Sequence, residues 1–248
     1  MSDIVGPNPV IIEEAVRILE AANAEGILLR LLGGLAIYLQ SPSAREHEQL
    51  KRSYKDLDFA TLSKYGAKTK ILFAKLGYSG NKSFNALHGH QRLLFYDDQN
   101  GRQVDIFVDR MQMCHNIDFR SRMSIDERTL SPADLLLTKL QIVEVNEKDM
   151  LDVIALFIDY DVEDDDRGIH AQYISRLVSN DWGFQKTLDL NLNKTKAFAV
   201  ERKFPDYVTG RIDTLVAKIE AHPKTLAWKA RAMVGERVRW YELPEEPR

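Results

Sequence analysis

Three aspartates stand at spacings that suit metal-assisted chemistry. Lys55-Asp56-Leu57-Asp58-Phe59 places two carboxylates at i and i+2, and on a strand such residues point to one face. Two adjacent carboxylates repel unless they share a proton or hold a cation. The other reading of this Asp-x-Asp is an exposed strand face. Gln103-Val104-Asp105-Ile106-Phe107-Val108-Asp109 sets Asp105 inside an otherwise apolar run, where a lone carboxylate is costly unless it is paired or metal-bound. Mg²⁺ takes oxygen ligands, usually one or two carboxylates plus substrate phosphates. Asp56, Asp58 and Asp105 on adjacent strands would give the cluster that a two-metal phosphoryl-transfer site needs. Asp109 shares the parity of Asp105 but falls at the end of the run, so it reads first as loop or cap.

A glycine pair upstream reads either as a phosphate cradle or as a tight strand–helix connection. Leu32-Gly33-Gly34-Leu35-Ala36 reads as strand, turn and helix start. Glycine lets backbone approach a phosphate closely, and the following helix offers free N–H groups and a positive dipole end. Lys139, in the apolar stretch Leu135-Leu136-Leu137-Thr138-Lys139-Leu140, must find an anion or snorkel out to water. Lys148 and Asp152 are spaced as an ordinary i,i+4 surface pair.

The elements that position these groups follow from periodicity. Residues 9–24 read as an amphipathic helix closed by Gly26, Ile27 to Leu32 as a buried strand, and Leu35 to Gln40 as a short helix. Ser41 to Tyr54 is polar and charged and reads as a loop or excursion. Leu57 to Leu62 reads as a strand, and 65–76 as a helix with Ile71, Leu72 and Leu76 inward. Gln91 to Tyr96 and Gln103 to Val108 form a hairpin around Asp97-Asp98-Gln99-Asn100-Gly101, which supplies turn chemistry. Ser131-Pro132 starts a helix running to about Val145, with Ser131 as N-cap and Pro132 at the first helical position. Helices then fill 147–159, 167–178, 182–202, 205–221 and 223–236. Asp159 to Asp166 holds six carboxylates in eight residues and reads as a solvated hinge rather than a metal site. The expected organisation is a mixed α/β core over 1–120 and an α-helical domain over 121–248.

Composition narrows the classes. The chain has 248 residues, 44% hydrophobic and 29% charged, which suits one large or two small globular domains. A single cysteine, Cys114, excludes an intramolecular disulfide framework or a multi-cysteine zinc site. No apolar run approaches the roughly 20 residues of a membrane span. The opening MSDIVGPNPV lacks a basic and then apolar leader, so a cytoplasmic location is expected. Net charge is −3, whereas a domain that binds nucleic acid over its whole surface is usually basic.

A glycine pair opening a helix, an Asp-x-Asp and a third Asp on a later strand resemble the nucleotidyltransferase superfamily of the DNA polymerase β type. Lys139 in its leucine-rich helix, followed by Lys148-Asp149-Met150-Leu151-Asp152, is similar to the lysine helix and Lys-Asp-x-x-Asp segment of AbiEii/AbiGii toxin-like nucleotidyltransferases. The resemblance covers roughly residues 25–160. It implies an α+β fold with a mixed sheet core and helices, followed by an α-helical domain. It also implies transfer of a nucleoside monophosphate from an NTP to a hydroxyl, with pyrophosphate released. Gly33 and Gly34 would cradle the triphosphate. Asp56, Asp58 and Asp105 would be catalytic and hold Mg²⁺, two ions in all with Mn²⁺ as the substitute, and Asp105 would act as or assist the base. Lys139 would meet the triphosphate, with Asp149 supporting it or the nucleotide. The acceptor it implies is a tRNA, a protein or a small molecule. A toxin acting on tRNA and paired with an antitoxin, and a degenerate nucleotide-binding module without catalysis, are the alternatives. No membrane partner is expected.

Three further features carry less. His88-Gly89-His90 has no carboxylate at ligand-like spacing and reads as a loop or strand edge, and Cys114 reads as a structural thiol. Arg211, Lys218, Lys224, Lys229, Arg231, Arg237 and Arg239 interleave with Trp228, Trp240 and Tyr241. That pattern could hold RNA by phosphate contact and stacking. It reads better as a solvated basic helix face with the tryptophans in the core.

Overall fold

In the computed structural model, residues 6–243 are described. In chain order the elements are α1 (Ile11–Ala24), β1 (Leu29–Leu32), α2 (Gly33–Gln40), α3 (Pro42–Glu46), β2 (Leu57–Thr61), α4 (Gly66–Lys75), β3 (Ser79–Gly80), α5 (Lys82–Leu87), β4 (Arg92–Asp97), β5 (Arg102–Val108), β6 (Arg110–Gln112) and β7 (Asn116–Asp118). There follow α6 (Pro132–Leu140), α7 (Glu147–Asp159), β8 (Val162–Glu163), β9 (Ile169–His170), α8 (Ala171–Val178), α9 (Trp182–Glu201), α10 (Asp206–Ala221) and α11 (Leu226–Val234). The α+β expectation holds, with a mixed sheet first and helices after it.

The five-stranded sheet runs β1-β2-β5-β4-β3. Only the β2–β5 pair is parallel; β1–β2, β4–β5 and β3–β4 are antiparallel. The β4–β5 hairpin closes through Asp97, whose carboxylate accepts from the backbone N–H groups of Gln99 and Asn100, and Gly101 takes φ +64°. One sheet face is mainly apolar: Phe73 of α4 stacks on Phe95 of β4 and meets Phe59 of β2 edge-on. Phe73, with Thr69 and Leu72, is what α4 turns inward, so Ile71 is 57% exposed rather than buried. A helix rotates about 100° per residue, so with Phe73 facing the core Ile71 lies about 200° round, toward solvent. The opposite face carries Asp58 and Asp105 and meets α2, which packs in turn on α6 and α7. One contiguous cluster of buried side chains runs from Ala15 of α1 to Ile219 of α10.

Several expected elements shift. The segment 41–54 is not only loop: Pro42–Glu46 and Glu48–Leu50 coil into short helices, pinned where Ser43 donates to Asp159 and Arg45 to the carbonyls of Tyr38 and Leu39. Helix α6 stops at Leu140 rather than near Val145, because Asn191 of α9 takes the Leu140 and Ile142 carbonyls from outside the helix. The acidic run is largely solvated, as expected, but it is tied to its neighbours rather than left as a hinge. Asp161 pairs with Arg211, Asp164 with Lys218 and Asp166 with Arg122, while β8 pairs with β9. These pairs engage Arg211 and Lys218 of the basic C-terminal stretch. The tryptophans there are half-buried rather than core: Trp240 meets Trp182 edge-on, and Arg231 lies over the Trp182 ring. No helix among the described residues is long and apolar enough to cross a membrane.

Candidate functional site

The register of the sheet assembles the site. Leu32 pairs with Asp58 across β1–β2, Asp58 with Asp105 across β2–β5, and Asp105 with Leu94 across β5–β4. Directly paired residues on neighbouring strands share a face, so the Asp58 and Asp105 carboxylates lie side by side at the point where β1 runs into the glycine turn. Gly33 has φ +72°, a conformation L side chains rarely adopt, and a Cβ there would collide with the Asp58 carboxylate. The close approach that glycine permits is made at Gly33 toward the Asp58 carboxylate, whereas the expected neighbour was a phosphate.

Asp105 is held from two sides: Arg92 Nε donates to Oδ1 at 2.6 Å and Gln103 Nε2 to Oδ2 at 2.7 Å. Asp58 takes no side-chain hydrogen bond among the described residues. Burial foremost, then the neighbouring Asp105 carboxylate, pushes the Asp58 acid up to about 7, with Lys139 pulling against them and Asp56 adding a smaller push. Asp56 is exposed and precedes β2, so the strand's pleat does not orient it. Among the described residues, no group of three or more His, Cys, Asp or Glu side chains is gathered as a metal site.

Lys139 does not snorkel. It is buried between α6 and α7, with Nζ 3.0 Å from Asp149 Oδ1 and 2.9 Å from Asp152 Oδ2. Burial alone would drive its ammonium down; Asp152 and then Asp149 outweigh burial, and its pKa stands above the usual lysine value. Asp149 is placed by the start of α7, where the Asn146 side chain caps the Lys148 and Asp149 N–H groups and the Asp149 side chain bonds back to the Asn146 N–H. Asp152 is therefore no partner of Lys148. It is buried, and its second cation is Arg52, whose Nη2 lies 2.6 and 2.5 Å from its two oxygens.

Arg52 and Arg92 were not legible as site residues. Arg92 opens β4 opposite Phe107, a diagonal step from Asp105, so counting hairpin register back from the Asp97 turn reaches it. Arg52 leaves no periodic signal. Its guanidinium lies so close over Gly34 that a Cβ there would collide with Nη2, and it stacks 4.6 Å from the Tyr54 ring centroid.

The remaining candidates fall elsewhere. His88 follows α5 and packs on Phe84, and Cys114 is a buried free thiol. Asp109 takes φ +63° and accepts from the Ser63 N–H, a loop cap as its position suggests. A cavity of about 590 Å³ opens at the start of β1, lined by Val16, Leu19, Arg30, Tyr65 and Arg128, apart from the carboxylates.

No family model matches the chain, and no curated protein matches it. Among solved structures, the chain is similar to the crystal structure of an antigenic nucleotidyltransferase-like protein from Paracoccidioides brasiliensis, with a TM-score of 0.44 and 15% identity, over 90% of this chain and 97% of that one.

Proposed function

We propose that this chain transfers a nucleoside monophosphate from an NTP to a hydroxyl acceptor and releases pyrophosphate. The observation that carries the reading is Asp58 paired in direct register with Asp105 at the mouth of a left-handed glycine turn. Two oxygen-donor carboxylates forced together, one with a raised pKa and no hydrogen-bond donor of its own, suit a divalent cation that takes carboxylate and phosphate oxygens. Each oxygen of Asp105 keeps a free lone pair beyond its bond to Arg92 or Gln103. Asp58 and Asp105 would hold one Mg²⁺ or Mn²⁺; a second ion would draw in Asp56. Bound there, the cation would offset charge building on the transferring phosphoryl group.

The chain's own residues do the rest. The turn at Gly33 and Gly34 presents backbone N–H groups and the start of α2 to the triphosphate. Lys139, fixed by Asp149 and Asp152, supplies a buried positive charge beside it. Asp105, oriented by Arg92 and Gln103, accepts the proton of the attacking hydroxyl as its oxygen bonds to the α-phosphorus and the bond to the β-phosphate oxygen breaks.

The test is thermal stability with each of the four NTPs, with and without Mg²⁺, for wild type and Asp58→Ala. Ligand at about 100 times its dissociation constant stabilises by about 2.7 kcal/mol. A Mg²⁺-dependent shift with one NTP, lost in the variant, is the expected result. No shift with any NTP overturns the reading.

A further inference from the structure

Resting on that reading, we propose that Arg52 is a polyphosphate-binding residue, held in reserve on Asp152 and transferred to the β/γ-phosphates when the nucleotide enters. Three observations point there. The first is place: the guanidinium covers Gly34, half of the pair expected to cradle phosphate, with Nη2 where a Cβ at that position would lie. The second is unused capacity. A guanidinium has five N–H donors in a planar fork, yet Arg52 meets Asp152 through Nη2 alone, and its buried Nε has no partner among the described residues. A buried donor left unpaired is costly, and a phosphate oxygen offers what that fork fits. The third is that release strands nothing: Asp152 retains Lys139 at 2.9 Å, so the carboxylate stays paired when Arg52 departs.

The segment that carries Arg52 suits such a transfer. Its first half is anchored by Ser43 on Asp159 and by Arg45 on the end of α2. Residues 51–56, between the short helices and β2, hold no regular structure. Stacking on Tyr54 keeps the guanidinium plane at the glycine turn while its hydrogen-bond partners change. A fixed structural ion pair is the competing account, and it predicts a loss of stability without selectivity for phosphate number.

The experiment is calorimetric titration of inorganic tripolyphosphate, the four NTPs and the matching NMPs, all with Mg²⁺, into wild type, Arg52→Gln and Arg52→Lys, with folding checked by circular dichroism. Arg52→Gln is expected to weaken tripolyphosphate and NTP about tenfold or more, to leave NMP binding unchanged, and to be partly rescued by Lys. Wild-type NTP binding that Arg52→Gln leaves intact overturns the role of Arg52 while nucleotidyl transfer stands. Wild type that binds neither NTP nor tripolyphosphate overturns both. If Arg52→Gln does not fold, the Arg52 Nε–H resonance of ¹⁵N-arginine-labelled wild type decides. It should shift on saturation with tripolyphosphate, and a bound protein with an unmoved signal overturns the proposal.

Discussion

Two buried charge clusters in this molecule are built to opposite ends. In the first, Arg122 donates through Nε to both oxygens of Asp134 at 2.9 and 2.7 Å and through Nη2 to Ser131 and Asp166 at 3.0 and 2.5 Å. Its guanidinium also lies 3.7 Å over the Tyr173 ring, and Ser131 donates to Asp134. Asp134 is fully buried, yet its charge is answered on every side. In the second, Asp58 faces Asp105 with no hydrogen bond of its own, and Arg52 leaves a buried Nε idle. A satisfied cluster ties elements together, here the 119–134 segment, the acidic run and α8. A cluster with unspent charge is poised for something that is not protein. Burial by itself therefore does not single out a candidate site; two carboxylates set face to face do, one of them without a donor among the described residues.

Removing a partner from the satisfied cluster should have the largest effect on folding. Arg122→Ala leaves Asp134 buried without its cation, and such losses run about 3–5 kcal/mol. Urea unfolding should register that drop, with the Mg²⁺-dependent NTP shift preserved where the variant remains folded. Asp58→Asn should do the reverse, removing the NTP shift without loss of stability. A cost under about 1 kcal/mol for Arg122→Ala would mean that the two clusters do not differ in kind.

The second effect is a pH dependence that only the unspent cluster confers. Asp58 has its acid raised from 3.8 to about 7 in the folded protein. Below about pH 4 it is protonated in both folded and unfolded states. Between about pH 4 and 7 the folded chain keeps a proton that the unfolded chain has released, so stability falls as pH rises, then levels above about 7. Three units amount to at most about 4 kcal/mol, and less here because the carboxylate is partly open to water. Without divalent cations, wild type minus Asp58→Asn, compared by urea unfolding at pH 5 and pH 8, isolates this contribution from other acids such as Asp134 and Asp189. Asp58→Asn should gain on wild type at pH 8. Parallel pH profiles for the two proteins would remove the like-charge pair from the site.

How much of this was legible in the sequence follows the same division. Periodicity exposed what the hydrophobic effect decides: α7 begins and ends at Glu147 and Asp159 as expected, and the β4–β5 hairpin lies within a residue of its expected bounds. The Ser131 cap, a local signal, was readable too. Contacts made across the fold were not. Nothing near Leu140 announces that Asn191 will end α6, and nothing in Lys51-Arg52-Ser53-Tyr54 announces that Asp152, a hundred residues on, will hold Arg52. In the site, types and spacing found Asp58 and Asp105 because a strand's pleat translates spacing into facing. They placed Asp56 by the same rule, but Asp56 lies just outside the strand, where the rule has no hold. Arg92 and Arg52 escaped because a cation on a surface and a cation beside a buried carboxylate look alike until register and loop path are known.

The smallest effect tests whether the glycine turn differs from an ordinary glycine. Gly33 and Gly210 both sit in helices, Gly33 as the first residue of α2 and Gly210 within α10. At Gly210 a Cβ meets nothing within 4 Å and φ is not positive, so Ala there should stabilise by about 0.4–1 kcal/mol, chiefly by restricting the unfolded chain. At Gly33 the same change meets φ +72° and the Asp58 carboxylate and should cost about 1–3 kcal/mol. Thermal unfolding of the two single variants reads opposite signs, and NTP titration should find binding impaired only in Gly33→Ala. If Gly33→Ala is instead neutral and binds normally, the turn tolerates a side chain. Its glycine would then be a tight connection of the kind many strand–helix junctions use, and Asp58 would lose the close backbone contact that sets it against Asp105.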